Sequence, residues 1–315
     1  MPRSLVAGGA GFIGSHLCER LLSEGHSVVC MDSFATALRE NVSELRGVEG
    51  FDLIEHDIVE PIPDLGRFDC VLNIASPASP VDFRSRAAEI AAVNSVGTQN
   101  LINVARESDA KFFLASTSEA YGEPHVHPQP ESYWGNVNPV GERSCYDESK
   151  RFAETLTYIA GQSYGLDTRT IRIFNTYGPR QRLDDGRAVT DFIVRAVRGE
   201  PLSVHGDGSQ TRSWCYVDDL VDGIVRVLDN PEGSGRVVNL GNPVETTILE
   251  IAEKIVELAG SDSPIEHAPL PADDPTRRCP DISLAREVFG WEPTISLDDG
   301  LRRTIDWYRP RILSQ

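Results

Sequence analysis

Ser4-Leu5-Val6-Ala7-Gly8-Gly9-Ala10-Gly11-Phe12-Ile13-Gly14 stands near the start of the chain and decides how the rest is read. A short strand-type run enters a glycine cluster, and apolar residues then recur at 13, 17, 21 and 22, close to helical period. The pattern is strand, tight turn, helix. In Gly8-x-x-Gly11-x-x-Gly14 the first glycine permits the turn, the second lets backbone approach a pyrophosphate, and the third lets helix and strand pack closely. Phosphates would then lie on the helix N-terminus, where unpaired N–H groups and the helix dipole favour negative charge. The next apolar run, Ser27 to Met31, ends at Asp32, 18 residues after Gly14. A carboxylate there accepts from a ribose 2′-hydroxyl and repels a 2′-phosphate, so NAD is expected rather than NADP.

Further runs of strand length occur at Asp52 to Glu55, Cys70 to Ala75, Lys111 to Ser116 and Arg169 to Phe174, several of them separated by helical patterns. Alternating strands and helices imply βαβ crossovers and an α/β, Rossmann-like, doubly wound parallel sheet, expected to occupy residues 1–175. Past Tyr177-Gly178-Pro179-Arg180 the pattern changes to helices at Ala188 to Arg198, Asp218 to Leu228 and Thr247 to Leu258, joined by Pro/Gly-rich loops and short strands. Residues 176–315 are expected to form a smaller α/β lobe that binds the substrate.

The 315 residues carry 30 Lys+Arg against 48 Asp+Glu, a net charge of −18, which works against binding to nucleic acid or an anionic membrane. Any bound phosphate must be met by local groups. No apolar stretch of about 18 residues and no secretory leader pattern occurs, so a cytoplasmic protein is expected. The cysteines at 18, 30, 70, 145, 215 and 279 include no Cys-x-x-Cys pair and read as reduced, mostly buried thiols. His16, His26, His56 and His267 stand apart, His205 sits in a loop, and His125-x-His127 has no clustered carboxylate or cysteine to complete a shell. No metal site is expected.

Tyr146-x-x-x-Lys150 falls where a helical pattern begins, which puts both side chains on one face. A lysine ammonium beside a tyrosine hydroxyl favours the phenolate, and a nicotinamide cation adds to this, predicting a base near neutral pH. Ala115-Ser116-Thr117-Ser118-Glu119-Ala120-Tyr121-Gly122 reads as a strand end opening into a polar loop at the carboxyl edge of the sheet, where such folds bind ligands.

With Arg172-Ile173-Phe174-Asn175-Thr176-Tyr177-Gly178-Pro179-Arg180 added, these motifs resemble the extended short-chain dehydrogenase/reductase family over essentially the whole chain. Within it, four stretches are similar to the UDP-glucuronate decarboxylases: Asn73 to Ser79, His127 to Glu148, Gly208-Ser209-Gln210-Thr211-Arg212, and Asn239 to Pro243. The resemblance implies oxidation of the sugar at C4, loss of carbon dioxide from the 4-keto acid, and re-reduction to UDP-xylose. Tyr146 would take the C4 hydroxyl proton, Thr117 would hydrogen-bond the same oxygen, and Lys150 would hold the ribose and tune Tyr146. Ser118 and Glu119 would act near C5. The implied NAD contacts are Gly8, Gly11, Phe12, Ile13, Gly14, Asp32, Asp57, Ile58 and Ala75, with Tyr146 and Lys150. Asn175, Arg212 and Arg278, the last within Asp274-Pro275-Thr276-Arg277-Arg278-Cys279, would hold the nucleotide sugar.

The chain departs from the family pattern at Val81-Asp82-Phe83, Arg86-Ala87 and Glu89, where a sugar-proximal hydroxyl and a positive charge are missing, and at Ala35 to Arg39 beside the expected NAD phosphates. The first departure predicts escape of some UDP-4-keto-xylose; the second predicts weaker NAD binding. A 4,6-dehydratase would carry Asp where Ser118 stands; a uronate 4-epimerase and a non-catalytic NAD-sensing regulator are the other readings. The resemblance also implies a homodimer, packed through a helix from Arg84 to Arg106 and the helix following Tyr146.

Overall fold

The structure, a computed structural model, describes residues 1–270 and 277–314. Its central sheet holds seven parallel strands: β1 (Arg3–Ala7), β2 (Ser27–Asp32), β3 (Phe51–Glu55), β4 (Cys70–Asn73), β5 (Lys111–Thr117), β6 (Thr168–Ile173) and β11 (Val237–Leu240). They lie in the order β11-β6-β5-β4-β1-β2-β3. Strands buried on both faces read as unbroken apolar runs, and β1 shows why. Leu5 and Ala7 enter the core on one face with Met31, Phe112 and Leu114. Val6 enters the core on the other face with Cys30, Leu72 and Phe113.

The helix Phe12–Ser23 covers that second face and the helices Thr98–Ser108 and Ser144–Tyr164 cover the first. The expected helix from Arg84 to Arg106 is broken into Asp82–Ser85, Ala87–Ala92, a π-helical turn at Val93–Gly97, and Thr98–Ser108. At the wide turn Asn94 donates to Ser149 Oγ at 2.9 Å and to Ser76 Oγ at 3.2 Å, tying it to the loop after β4. A Cβ at Gly97 would stand 2.6 Å from Ile58, so glycine alone lets the segment approach the loop after β3.

The smaller strands are β7 (Thr176–Tyr177), β8 (Leu202–His205), β9 (Thr211–Ser213), β10 (Cys215–Tyr216), β12 (Glu245–Thr247), β13 (Ile265–Ala268) and β14 (Arg277–Arg278). They form β12-β9-β14, β10-β7 and β13-β8. The division expected at residue 175 is interleaved: β11 returns to pair with β6, and the helix Val217–Asp229 packs against Phe12–Ser23. Trp291, 1% exposed, locks that return by donating from its indole to the Asp219 carbonyl at 2.9 Å and lying against Gly223.

Because the strands are parallel, the segments after β1, β2, β4, β5 and β6 all emerge at one edge. Gly8, Asp32, Ala75, Thr117 and Asn175 lie at or just beyond those strand ends. Among the described residues no helix is long and apolar enough to cross a membrane. All six cysteines are unpaired and five are buried.

Candidate active site

Gly8, Gly11, Phe12, Ile13, Gly14, Asp32, Asp57, Ile58 and Ala75 line one cavity along the strand edge. Gly8 has φ +77°, and a Cβ there would stand 2.7 Å from the Ala75 backbone. A Cβ on Gly14 would overlap the Gly8 carbonyl and come within 2.8 Å of Gly9 Cα. The helix opens at Gly11 without a side-chain cap, leaving its first N–H groups facing outward for a diphosphate. Asp32 accepts from the Ala10 amide at 3.0 Å and the Phe34 amide at 2.8 Å. Burial raises its pKa against the pull of those amides. Glycine cradle, uncapped helix and a fixed carboxylate at the next strand end together fit a dinucleotide with an unmodified ribose.

A second cavity adjoins the first, sharing Ile13, Ile74, Ser76 and Arg187 with it. Thr117, Ser118, Glu119, Tyr146, Lys150, Asn175 and Arg212 all line it. Thr117 ends β5, and its hydroxyl accepts from the Glu119 amide at 3.2 Å, turning the chain so that Glu119 enters the cavity. Tyr146 lies in the first turn of Ser144–Tyr164 and stacks on Phe83, with centroids 5.3 Å apart and planes at 18°. Phe83 therefore supplies the face on which the phenol rests, a role its place in the altered Val81–Glu89 segment did not reveal.

The electrostatics differ from the expected tyrosine–lysine pair. Burial pushes the Tyr146 phenol up to about 12, although a hydrogen bond with Thr117 pulls the other way. Lys150 Nζ donates to the Ala115 carbonyl at 2.9 Å, and its burial lowers its pKa to about 8 against the opposing charge of Glu154. The cation that lowers the Tyr146 pKa is Arg187 instead. A base near neutral pH is thus not built from Tyr146 and Lys150 alone, because desolvation outweighs the single nearby hydrogen bond.

Glu119 is the best-held charge in the cavity. Burial alone would raise it, but Arg278 and Arg143 hold it at about 2. Arg143 Nη2 donates to Glu119 Oε2 at 2.7 Å, and Arg278 Nη2 donates to the same oxygen at 2.9 Å. Arg278 also donates to the Gly122 carbonyl at 2.7 Å and is 1% exposed. It stands behind Glu119 rather than among the residues that line the cavity, and meets the cavity only through that carboxylate. The Asp274 to Thr276 part of its sequence motif lies outside the described residues.

Residues that sequence reasoning missed complete the site. Arg143, three positions before Tyr146, showed no signal beyond helical spacing. Asp147 is 6% exposed with Oδ2 3.9 Å from Arg143 Nε; burial and then the Glu119 charge raise it to about 7. Glu154 accepts from Ser116 at 2.6 Å and from Arg172 at 2.9 and 2.7 Å, fixing the floor under Lys150. Arg86, which could have offered a cation, is committed to Glu89 at 2.8 Å and Asp82 at 3.8 Å. The expectation that no carboxylate or cysteine clusters with His127 does not hold: the fold brings Glu245 and Cys279 beside it, residues more than a hundred positions away in sequence.

The model of the NAD dependent epimerase/dehydratase family matches residues 4–241. UDP-glucuronic acid decarboxylase 1 of Arabidopsis thaliana is 49% identical over 99% of this chain and 71% of its own length. UDP-glucuronic acid decarboxylase 3 of the same plant is 46% identical over 98% of this chain and 90% of its own. Among solved structures, the UDP-glucuronic acid 4-epimerase of Bacillus cereus, in complex with UDP-glucuronic acid and NAD, superposes with a TM-score of 0.90 at 30% identity, covering 98% of this chain and 99% of the other. The chain belongs to the NAD-dependent epimerase/dehydratase family, alongside the UDP-glucuronic acid decarboxylases. NAD is the cofactor that the first cavity fits.

Proposed function

We propose that the protein converts UDP-glucuronate to UDP-xylose and carbon dioxide, with Tyr146, Thr117, Ser118 and Glu119 around the sugar. Bound NAD supplies the acceptor and later the donor of the C4 hydride, and its oxidised ring brings a positive charge to the phenol. Tyr146 takes the C4 hydroxyl proton, aided by Thr117 and by the Arg187 charge. Tyr146 keeps that proton while the 4-ketone, β to the C6 carboxylate, lets carbon dioxide leave and the C5 enolate form. Glu119, held ionised by its two arginines, orients the water that returns a proton to C5, with Ser118 beside it. Tyr146 then returns its proton to the C4 oxygen as the ketone is reduced. Arg212 and Asn175 hold the nucleotide diphosphate, and Arg278 acts as a positioning residue through Glu119.

The observation that carries this reading is Glu119, anionic and clamped by Arg143 and Arg278 on the same cavity wall as Thr117 and Tyr146. Ser118 stands where a dehydratase needs an acid for the leaving C6 hydroxyl. Incubating the protein with UDP-glucuronate and following nucleotide sugars by mass spectrometry tests it. Loss of the mass of carbon dioxide is expected, with Tyr146→Phe abolishing turnover while retaining NAD. An isomer of unchanged mass would make the protein an epimerase.

A second reading concerns the products. Phe83 offers the intermediate no hydroxyl and Arg86 is spent on Glu89 and Asp82, so a fraction of UDP-4-keto-xylose escapes and leaves NADH on the enzyme. UDP-xylose alone, with no enzyme-bound NADH, would refute this. The protein acts as a homodimer in this proposal: Phe152 (49% exposed) and Ile159 (42%) lie seven residues apart on Ser144–Tyr164, and exposed Val96 lies on the helical segment that packs against that helix. Light scattering at a single 34.6 kDa chain would overturn it.

A further inference from the structure

We propose that His127, Glu245 and Cys279 form a binding site for a divalent cation of the zinc class, outside the catalytic cavity. One ligand atom from each lies within 4.8 Å of the others. Three separate parts of the chain meet there: the loop before Gln129, the first residue of β12, and the residue after β14. Nitrogen, oxygen and sulfur donors suit a borderline-soft cation, and tetrahedral zinc bonds set ligand atoms about 3.3–3.7 Å apart. The cluster needs to contract by about 1 Å on the sulfur side, while His127 Nε2 and Glu245 Oε2, now hydrogen-bonded at 2.9 Å, open slightly. The cation takes the place of the proton these two share.

The donors are already oriented. Cys279 is 2% exposed, its amide donates to Gln129 Oε1 at 2.9 Å, and its carbonyl accepts from the Gln129 amide at 2.9 Å. Thr211 donates to Glu245 Oε1 at 2.5 Å, leaving Oε2 toward the cluster. Such outer partners fix ligand geometry in metal sites. The Cys279 thiol donates to the Pro243 carbonyl at 3.4 Å and must surrender that proton to ligate, so uptake releases protons. His127 Nδ1 is 3.5 Å from Gln129 Nε2, itself a donor to Val126; with Nε2 on the cation, Nδ1–H turns to water on the half-exposed side. Water fills the fourth position from that side. A cation here ties β12 to β14 and steadies the strand that carries Arg278.

The test uses the whole protein, stripped with a chelator and titrated with Zn2+ against a chromophoric competitor, then with Co2+. One cation per chain and a thiolate-to-cobalt absorption band are expected. Cys279→Ser and His127→Ala should each weaken Zn2+ binding at least about 10-fold, a loss typical of disturbed metal shells. Cys145→Ser, at the half-exposed cysteine, should change nothing. Binding that survives Cys279→Ser, or no uptake against the competitor, overturns the proposal. Should a variant fail to fold, the wild-type cobalt spectrum decides alone, since no thiolate band means no such site.

Discussion

Asp147→Asn should stabilise the protein, and more so as the pH rises. The carboxyl is buried, Oδ1 has no hydrogen-bond partner, and its nearest cation, Arg143, is 3.9 Å away and engaged with Glu119. Burial first, and the Glu119 charge second, raise its pKa from 3.8 to about 7. The folded state therefore binds this proton more tightly than the unfolded chain. Below the unfolded value both states are neutral and Asp147 adds no pH dependence. As pH rises toward 7 the unfolded chain ionises first, so stability falls, and above about 7 the whole cost is present. Between pH 5.5 and 8, clear of the isoelectric point near 4.8, about 1.5 units remain, or about 2 kcal/mol.

Unfolding entropy for 315 residues is about 0.7 kcal/mol per degree, so the melting-point gap between Asp147→Asn and wild type should widen by about 3 °C across that range. The amide leaves one buried group unpaired, as the carboxyl does, so that cost shifts the gap at every pH without changing its slope. Thermal scans at one heating rate, in matched buffers at several pH values, read it directly. A gap that stays constant or narrows toward pH 8 would mean that Asp147 is ionised and stabilised by Arg143, refuting the argument.

Gly14→Ala places a methyl into the Gly8 carbonyl and against Gly9 Cα, backbone that cannot move without opening the turn. NAD affinity should fall at least about 10-fold in a fluorescence titration; wild-type affinity would show that the turn is not the diphosphate cradle. Arg143→Met removes one of the two guanidiniums that depress Glu119. Its pKa should rise from about 2, and since activity needs the carboxylate, the acid limb of the pH–rate profile should move to higher pH. An unmoved limb would remove Glu119 from that limb. Arg172→Met strips the two-point partner from Glu154, whose side chain is 14% exposed, and should cost about 3–5 kcal/mol in denaturant unfolding. A loss below about 1 kcal/mol would mean that water reaches Glu154.

What could be read from sequence was what local pattern encodes. The strand ends carrying Gly8, Asp32 and Thr117 were legible because a doubly buried parallel strand leaves a continuous apolar run that stops where the loop begins. The helix Ala188–Arg198 was found to the residue for the same reason: its apolar period is set by one buried face. The break at Val93–Gly97 was not legible, because it depends on Ile58 pressing against Gly97 from another loop. β11 was missed for a similar reason, since its place beside β6 is fixed by sheet pairing and by Trp291, packed against the helix Val217–Asp229, rather than by its own four residues.

The charges divide along the same line. Tyr146 and Lys150 share a helix face, so spacing alone suggested that one tunes the other. Spacing carries no information about burial or about the Ala115 carbonyl that takes the ammonium, and these decide both pKa values. Glu119 was visible as a residue, but its state is set by Arg143, 24 positions away, and Arg278, 159 positions away. The grouping of Glu245 and Cys279 around His127 was invisible on the same ground, since these neighbours arrive on β12 and just after β14. The residues proposed to perform chemistry stand in local motifs, whereas their protonation states are fixed by contacts far apart in the chain. The variants that separate the readings therefore belong at Arg143, Asp147 and Cys279, beside the catalytic motif rather than within it.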